Sequence, residues 1–200
     1  LKYWLLCLTR RLRFHLHDTF RQEDWDVAYA DVPLHEFIKA PQDYENQLHW
    51  FRRQRRRTYY ADPFVVSTDN DTYIFFESYD YKKGKGEICV ALQSEDFKKH
   101  HIALSEPHHL SYPFVFQHDG EIYCIPEANE SNQVSLYRFD EKQHQLKKDC
   151  TLLEGIRAVD STLIYIDGKW NLFLGLQEYS NIKLYRYLSD DLRATLELDR

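Results

Sequence analysis

Residues Asp62–Glu77, DPFVVSTDNDTYIFFE, align without a gap over Tyr112–Glu127, YPFVFQHDGEIYCIPE, at an offset of 50. Six of the sixteen positions are identical: Pro, Phe, Val, Asp, Tyr and the closing Glu. Ordinary composition would give roughly one match. A third copy, Asp160–Gly175, DSTLIYIDGKWNLFLG, follows at an offset of 48, with its turn Asp167-Gly168 matching Asp119-Gly120 and Asp69-Asn70. The second half of the unit repeats as well, since Leu136-Tyr137-Arg138-Phe139 recurs as Leu184-Tyr185-Arg186-Tyr187. A closing segment completes each unit, at His101–Leu104, Lys148–Leu153 and Ala194–Leu198.

Each unit reads as four strands. The first carries a continuous apolar run (Pro63–Val66, Pro113–Phe116, Leu163–Ile166), which suits a strand buried on both faces. A tight Asx/Gly turn then signals a hairpin. The second strand is aromatic and apolar. The third alternates, with Val134, Leu136 and Arg138 against Ser135, Tyr137 and Phe139, and is expected to be half exposed. Four antiparallel strands in a unit of about 49 residues describe a β-propeller blade. A two-sheet sandwich gives no reason for the gapless repeat.

The expected organisation is an N-terminal extension with a basic connector over residues 1–58 and propeller blades over 59–200, at about 61–107, 108–157 and 158–200. Propellers have four to eight blades, so three imply a partial propeller whose remaining blades are missing or come from another chain. The absence of Met and the start at Leu1 point the same way, to a piece of a longer product. In the extension, Trp25–Ala30 (WDVAYA) reads as a strand that adds to a blade edge, and Val32–Ile38 as a turn and short helix. Leu1–Phe20 is basic, apolar and ambiguous.

The chain has 43 % apolar and 16 % aromatic residues, enough for a core and weighted towards β structure. Its net charge is 26 − 32 = −6, so a global polyanion-binding role is not expected and no nucleic-acid partner is inferred. No apolar run reaches the ~18 residues of a membrane span. Cys7, Cys89, Cys124 and Cys150 contain no C-x-x-C pair and fit no zinc module. They read as reduced, packed side chains, in keeping with a cytoplasmic setting without establishing one. No Walker loop, GxGxxG, GxSxG or HExxH occurs, and no cofactor or metal is implied. The run Arg52, Arg53, Arg55, Arg56 and Arg57 suits phosphate, a nucleotide or an acidic lipid surface, or simply a solvated connector.

Antiparallel strands place the start of the first strand and the end of the second at one end of a blade. In blade one these positions hold Asp62 and Glu77. In blade two they hold Ser111, Tyr112 and Glu127, with His108 and His109 leading in. In blade three they hold Asp160, Gln177 and Glu178. The first strand of a propeller blade lies beside the central channel, so these residues should converge on one mouth. Crowded carboxylates repel, which holds a proton on one of them near neutral pH. One protonated and one ionised carboxylate is what glycosidic cleavage requires. Asp, Gln, His and Tyr also suit hydroxyl recognition without catalysis. The architectural alternative is that Asp62 and Asp160 cap turns and that Glu77 and Glu127 bond to the neighbouring blade. Adjacent residues on an extended chain face opposite ways, so His108 and His109 do not suit one metal ion.

Ala61-Asp62-Pro63-Phe64, Phe75-Phe76-Glu77 and Lys85-Gly86-Glu87-Ile88 resemble the opening of five-bladed propellers related to family 43 and family 32 glycosidases. His109-Leu110-Ser111-Tyr112-Pro113-Phe114 with Ile125-Pro126-Glu127 is more similar still to the N-terminal propeller of the glucosamine inositolphosphorylceramide transferase family. The resemblance covers about residues 25–200. It implies an all-β, five-bladed, glycosidase-like propeller present in part. It implies Asp62 as base or nucleophile, Asp160 as the carboxylate that tunes and orients, and a general-acid Glu in a later blade, a role for which Glu127 is the candidate within this chain. A carbohydrate or glycolipid ligand and an adjoining transferase domain are the implied partners. A non-catalytic carbohydrate-binding module and a protein-interaction propeller are the competing classes.

Overall fold

A computed structural model of the chain describes residues 25–53, 57–179 and 183–199. Three four-stranded antiparallel sheets follow one another along the chain, each with its strands in sequence order. Blade one is β3 (Thr58–Ser67), β4 (Thr72–Asp80), β5 (Lys85–Leu92) and β6 (His100–Leu104). Blade two is β7 (Ser111–His118), β8 (Glu121–Glu127), β9 (Gln133–Asp140) and β10 (Gln145–Glu154). Blade three is β11 (Ala158–Ile166), β12 (Lys169–Leu176), β13 (Tyr185–Ser189) and β14 (Glu197–Leu198). This is the all-β, partial-propeller architecture that the repeat implies. The hairpin turns follow their chemistry. Asp119-Gly120 and Asp167-Gly168 take positive φ at both residues (50° and 78°; 52° and 80°), the conformation that matches the twist of the flanking strands.

Period-two alternation assigns each strand's two faces to different neighbours. From β4, Tyr73 and Phe75 enter the core between blades one and two, together with Ile122 and Cys124 of β8. From the same strands, Tyr123 and Ile125 of β8 enter the core between blades two and three, against Trp170, Leu172 and Leu174 of β12. Ile74 and Phe76 of β4 face the other way, where the N-terminal segment covers them with Val27 and Phe51. Cys89 and Cys124 are buried free thiols and Cys150 is half-buried. Burial pushes the Cys124 thiol far up. Cys7 lies outside the described residues.

Two burial expectations are corrected. The first strands are not buried on both faces: Val65, Ile164, Tyr165 and Ile166 are exposed. The first strand of each sheet is its edge strand and hydrogen-bonds on one side only, so its apolar run leaves one side open. The third strand is not half exposed either. In β9, Val134 to Tyr137 are all buried, because a sheet packed between two neighbours covers both faces of its interior strands.

The N-terminal segment also differs from expectation. Within WDVAYA, only Ala28–Tyr29 (β1) is strand, and it pairs with His49–Trp50 (β2) in a separate two-stranded ribbon rather than with a blade. The short helix, α1 (Leu34–Phe37), is present. Of the arginine run, Arg55 and Arg56 lie outside the described residues. Arg53 is committed internally: its Nε donates to Asp26 Oδ1 (2.7 Å) and its Nη2 to the Trp25 carbonyl (3.3 Å).

Candidate saccharide site

One irregularity recurs at the same place in all three blades. Ala61 pairs with Glu77 and Phe64 with Phe75, so three steps on β3 oppose two on β4. Ser111/Glu127 and Phe114/Ile125 repeat this in blade two, and Val159/Gly175 and Thr162/Phe173 in blade three. Each first strand therefore carries a one-residue bulge. At each bulge one non-glycine residue adopts positive φ: Asp62 (51°), Tyr112 (41°) and Asp160 (52°). Left-handed backbone costs an L-residue about 1–2 kcal/mol, and bulges re-aim side chains where they occur. The three bulged residues are those that the repeat alignment superposes.

The bulges link neighbouring blades. Asp62 Oδ2 accepts the Tyr112 N–H (3.3 Å). Glu127 Oε2 accepts the Asp160 N–H (3.0 Å), and its Oε1 accepts from Asn129 Nδ2 (3.4 Å). Tyr112 Oη meets Thr162 Oγ1 at 3.1 Å. Asp62 and Glu127 thus each hold the bulged backbone of the next blade.

The electrostatics place the carboxylates together. Burial raises the Glu127 carboxyl above its ordinary value; the charges of Asp160 and Asp62 add to this, against the Asp160 N–H and a Ser111 hydrogen bond. Asp160 is raised by burial and then by the charge of Asp62. Burial lowers the His109 imidazole, opposed by the charges of Glu130 and Asp62 and reinforced by His108. His109 Nδ1 accepts the Gly86 N–H (2.8 Å), which leaves the neutral ring's proton on Nε2. That nitrogen is 3.9 Å from Oε1 of the buried Glu77. The Nε2 of His108 is buried without a hydrogen-bond partner among the described residues.

Asp62, Tyr112, Glu127 and Asp160 therefore sit at one mouth, with Glu77 and His109 beside them. Gln177 and Glu178 do not take the expected place. The residue in register with Glu77 and Glu127 is Gly175, opposite Val159. Gln177 and Glu178 lie beyond the strand in a short 3-10 helix (Gln177–Tyr179), both exposed. The strand ends earlier in the repeat than its acidic tail suggests. Thr162 was not anticipated; it is two residues past Asp160 and legible only once the bulge is known. Among the described residues, no cluster of His, Cys, Asp and Glu could hold a metal ion, and no helix is long and apolar enough to cross a membrane.

Sequential four-stranded antiparallel sheets, each with a bulge at the same point of its first strand, define part of a β-propeller. Solved structures similar to the chain include a thermostable family-43 glycoside hydrolase (TM-score 0.56, 13 % identity, 70 % of this chain and 54 % of that one). They also include the catalytic domain of a GH62 α-L-arabinofuranosidase from Coprinopsis cinerea (0.57, 15 %, 72 % and 51 %). An inulosucrase from Halalkalicoccus jeotgali is similar too (0.57, 13 %, 74 % and 52 %). At these identities the likeness is one of fold.

The model of the family "glucosamine inositolphosphorylceramide transferase 1, N-terminal" matches residues 52–188, and the chain belongs to that family. It is 36 % identical over 116 residues to glucosamine inositolphosphorylceramide transferase 1 of Oryza sativa subsp. japonica, covering 56 % of this chain and 16 % of the rice protein. It is 37 % identical over 111 residues to the protein of the same name from Arabidopsis thaliana, covering 54 % and 14 %. The match thus spans about one sixth of the length of these curated relatives.

Proposed function

We propose that the chain is a saccharide-handling propeller module of a glycan- or glycolipid-modifying protein, with the mouth formed by Asp62, Tyr112, Glu127 and Asp160 as its sugar site. The observation that carries this reading is the repeated bulge. Three blades each hold one strained, polar residue at the same point of the edge strand, and strained backbone collects at functional sites. Carboxylates, a phenol and a threonine hydroxyl together offer the acceptors and donors that sugar hydroxyls need. The relatives' name, a transferase acting on an inositolphosphorylceramide, is consistent with a glycolipid ligand and an adjoining transferase domain.

A catalytic reading rests on a separate observation, the upward shift of Glu127 and Asp160 beside Asp62. A carboxyl that keeps its proton next to an ionised one is suited to acid and base roles in glycosyl transfer. In that reading Asp62 acts as base or nucleophile, Asp160 tunes it and Glu127 is the acid. Their hydrogen bonds to neighbouring blades favour the binding role, since Asp62 and Glu127 already hold backbone N–H groups.

Asp62→Asn separates the two. We expect the variant to keep its unfolding midpoint to within a few degrees, since the amide oxygen still accepts the Tyr112 N–H. Glycan binding measured on an array should fall. Turnover of a glycoside panel by the parent, lost in Asp62→Asn, would select catalysis. A parent that binds no glycan overturns both readings.

A further inference from the structure

The first hairpin of blade one reaches further at the mouth end than those of its neighbours. Its pairing continues from Ala61–Glu77 to Thr58–Asp80, which is three pairs, or about 10 Å, beyond the mouth. Blade two stops at Ser111–Glu127, and blade three one pair further, at Ala158–Leu176. The Tyr81 N–H donates to the Arg57 carbonyl (3.0 Å), so the arginine run ends against the turn between β4 and β5. This projecting tip carries Arg57, Lys82, Lys83 and Lys85. Arg57 and Lys82 are exposed and have no ion-pair partner among the described residues. Lys83 pairs with the buried Glu87 (3.2 Å), and Lys85 Nζ donates to the Glu106 carbonyl. The carboxylate on the tip, Asp80, is taken up by the turn, where its Oδ1 accepts the Lys82 and Lys83 N–H groups (2.8 and 3.3 Å). Three half-buried tyrosines brace the projection. Tyr59 stacks on Tyr79 (4.9 Å, 11°), and Tyr81 meets both edge-on at 5.5 Å.

From this geometry we infer that the tip of blade one is a membrane-docking surface, which seats on anionic lipid headgroups and turns the mouth towards them. Charge decides both the partner and the orientation. The whole chain carries −6, so an anionic bilayer repels most of its surface and attracts it where cations gather. Guanidinium and ammonium groups donate to headgroup phosphates. Phenol rings with one apolar and one polar end suit the same layer. The mouth of blade one stands about 10 Å behind the tip, past the ~8 Å over which physiological salt screens a charge. Its carboxylates therefore do not cancel the attraction. Docked this way, the mouth opens on the headgroup layer, where the phosphate and sugars of a glycolipid stand. Vesicle binding requires no saccharide in the mouth, so its outcome is independent of the glycan array.

Co-sedimentation of the purified protein with vesicles tests this, using phosphatidylcholine alone and phosphatidylcholine with one quarter phosphatidylserine. We expect binding to the mixed vesicles, little to phosphatidylcholine, and release as salt is raised. A basic side chain at an anionic surface is worth about fivefold in partition, so Arg57→Gln combined with Lys82→Gln should weaken binding about 25-fold. Both residues are exposed, so the double variant should keep the parent's unfolding midpoint. The same charge change made elsewhere on the surface, Lys39→Gln with Lys142→Gln, should cost far less. Equal losses from the two pairs would reduce the attraction to net charge and overturn the docking surface. So would a parent that ignores the mixed vesicles. Inorganic phosphate at matched ionic strength should displace no more protein than chloride does. Stronger displacement by phosphate would mark a site for the free anion and refute docking on the bilayer.

Discussion

Gly86 of β5 passes close to the chain that leads into blade two, and replacing it by Ala should open this seam. A Cβ built there would lie 2.3 Å from the Leu110 carbonyl oxygen, 2.6 Å from Glu77 Oε1 and 3.0 Å from Glu77 Cγ. Ordinary contact begins near 3.4 Å, so the overlap with Leu110 is 3.4 − 2.3 = 1.1 Å. The obstructing atom is backbone, and Leu110 is fully buried, so no side-chain rotation relieves it. The two chains must part, which strains the Leu110 N–H bond to Gly86 O (3.2 Å) and the Gly86 N–H bond to His109 Nδ1 (2.8 Å). Overpacking costs about 1–3 kcal/mol and each lost hydrogen bond about 0.5–1.5 kcal/mol. Reduced freedom of the unfolded chain returns only about 0.4–1 kcal/mol. The net loss is roughly 2–5 kcal/mol, which lowers the midpoint by about 5–15 °C for a chain of this size. Thermal and urea unfolding followed by circular dichroism measure it. A Gly86→Ala protein that melts within 2 °C of the parent would refute this account of the seam.

Two further predictions concern protons. His109 is held below its ordinary 6.5 by burial, so the stability it contributes is present above the unfolded-state value and is lost as pH falls through the folded one. Protonation of Nδ1 removes the acceptor for Gly86, worth about 1 kcal/mol. Unfolding midpoints between pH 7.5 and 5 should therefore fall more in the parent than in His109→Gln, and equal slopes would contradict this. Glu127 is the opposite case. Its pKa is raised above the ordinary 4.5, so its contribution is fully present below that value and is lost as pH rises through the folded pKa. Glu127→Gln, whose amide oxygen can still accept the Asp160 N–H, should match or exceed the parent's midpoint near pH 7, with the difference shrinking towards pH 4.5. A deficit that is largest at pH 7 would count against it.

Much of this protein is written locally. The repeat of Asp62–Glu77 in Tyr112–Glu127 and Asp160–Gly175, the Asp-Gly turns and the apolar runs between them suffice for four-stranded blades in sequence order, because hairpin register depends on residues only a few positions apart. The same alignment brings Asp62, Tyr112 and Asp160 to one level. Burial was less legible. Whether an apolar run such as Ile164-Tyr165-Ile166 is covered depends on which side of the sheet its strand occupies, and no local pattern carries that. The bulges were not legible either, since one extra residue leaves no mark in composition, yet they re-aim Asp62, Tyr112 and Asp160 and tie blade one to blade two and blade two to blade three. Nor could the sequence bring Trp25 to a cleft beside Asp62 or set Arg53 on Asp26. Those positions come from contacts between residues distant along the chain, where packing of one sheet on the next, rather than local preference, decides what meets.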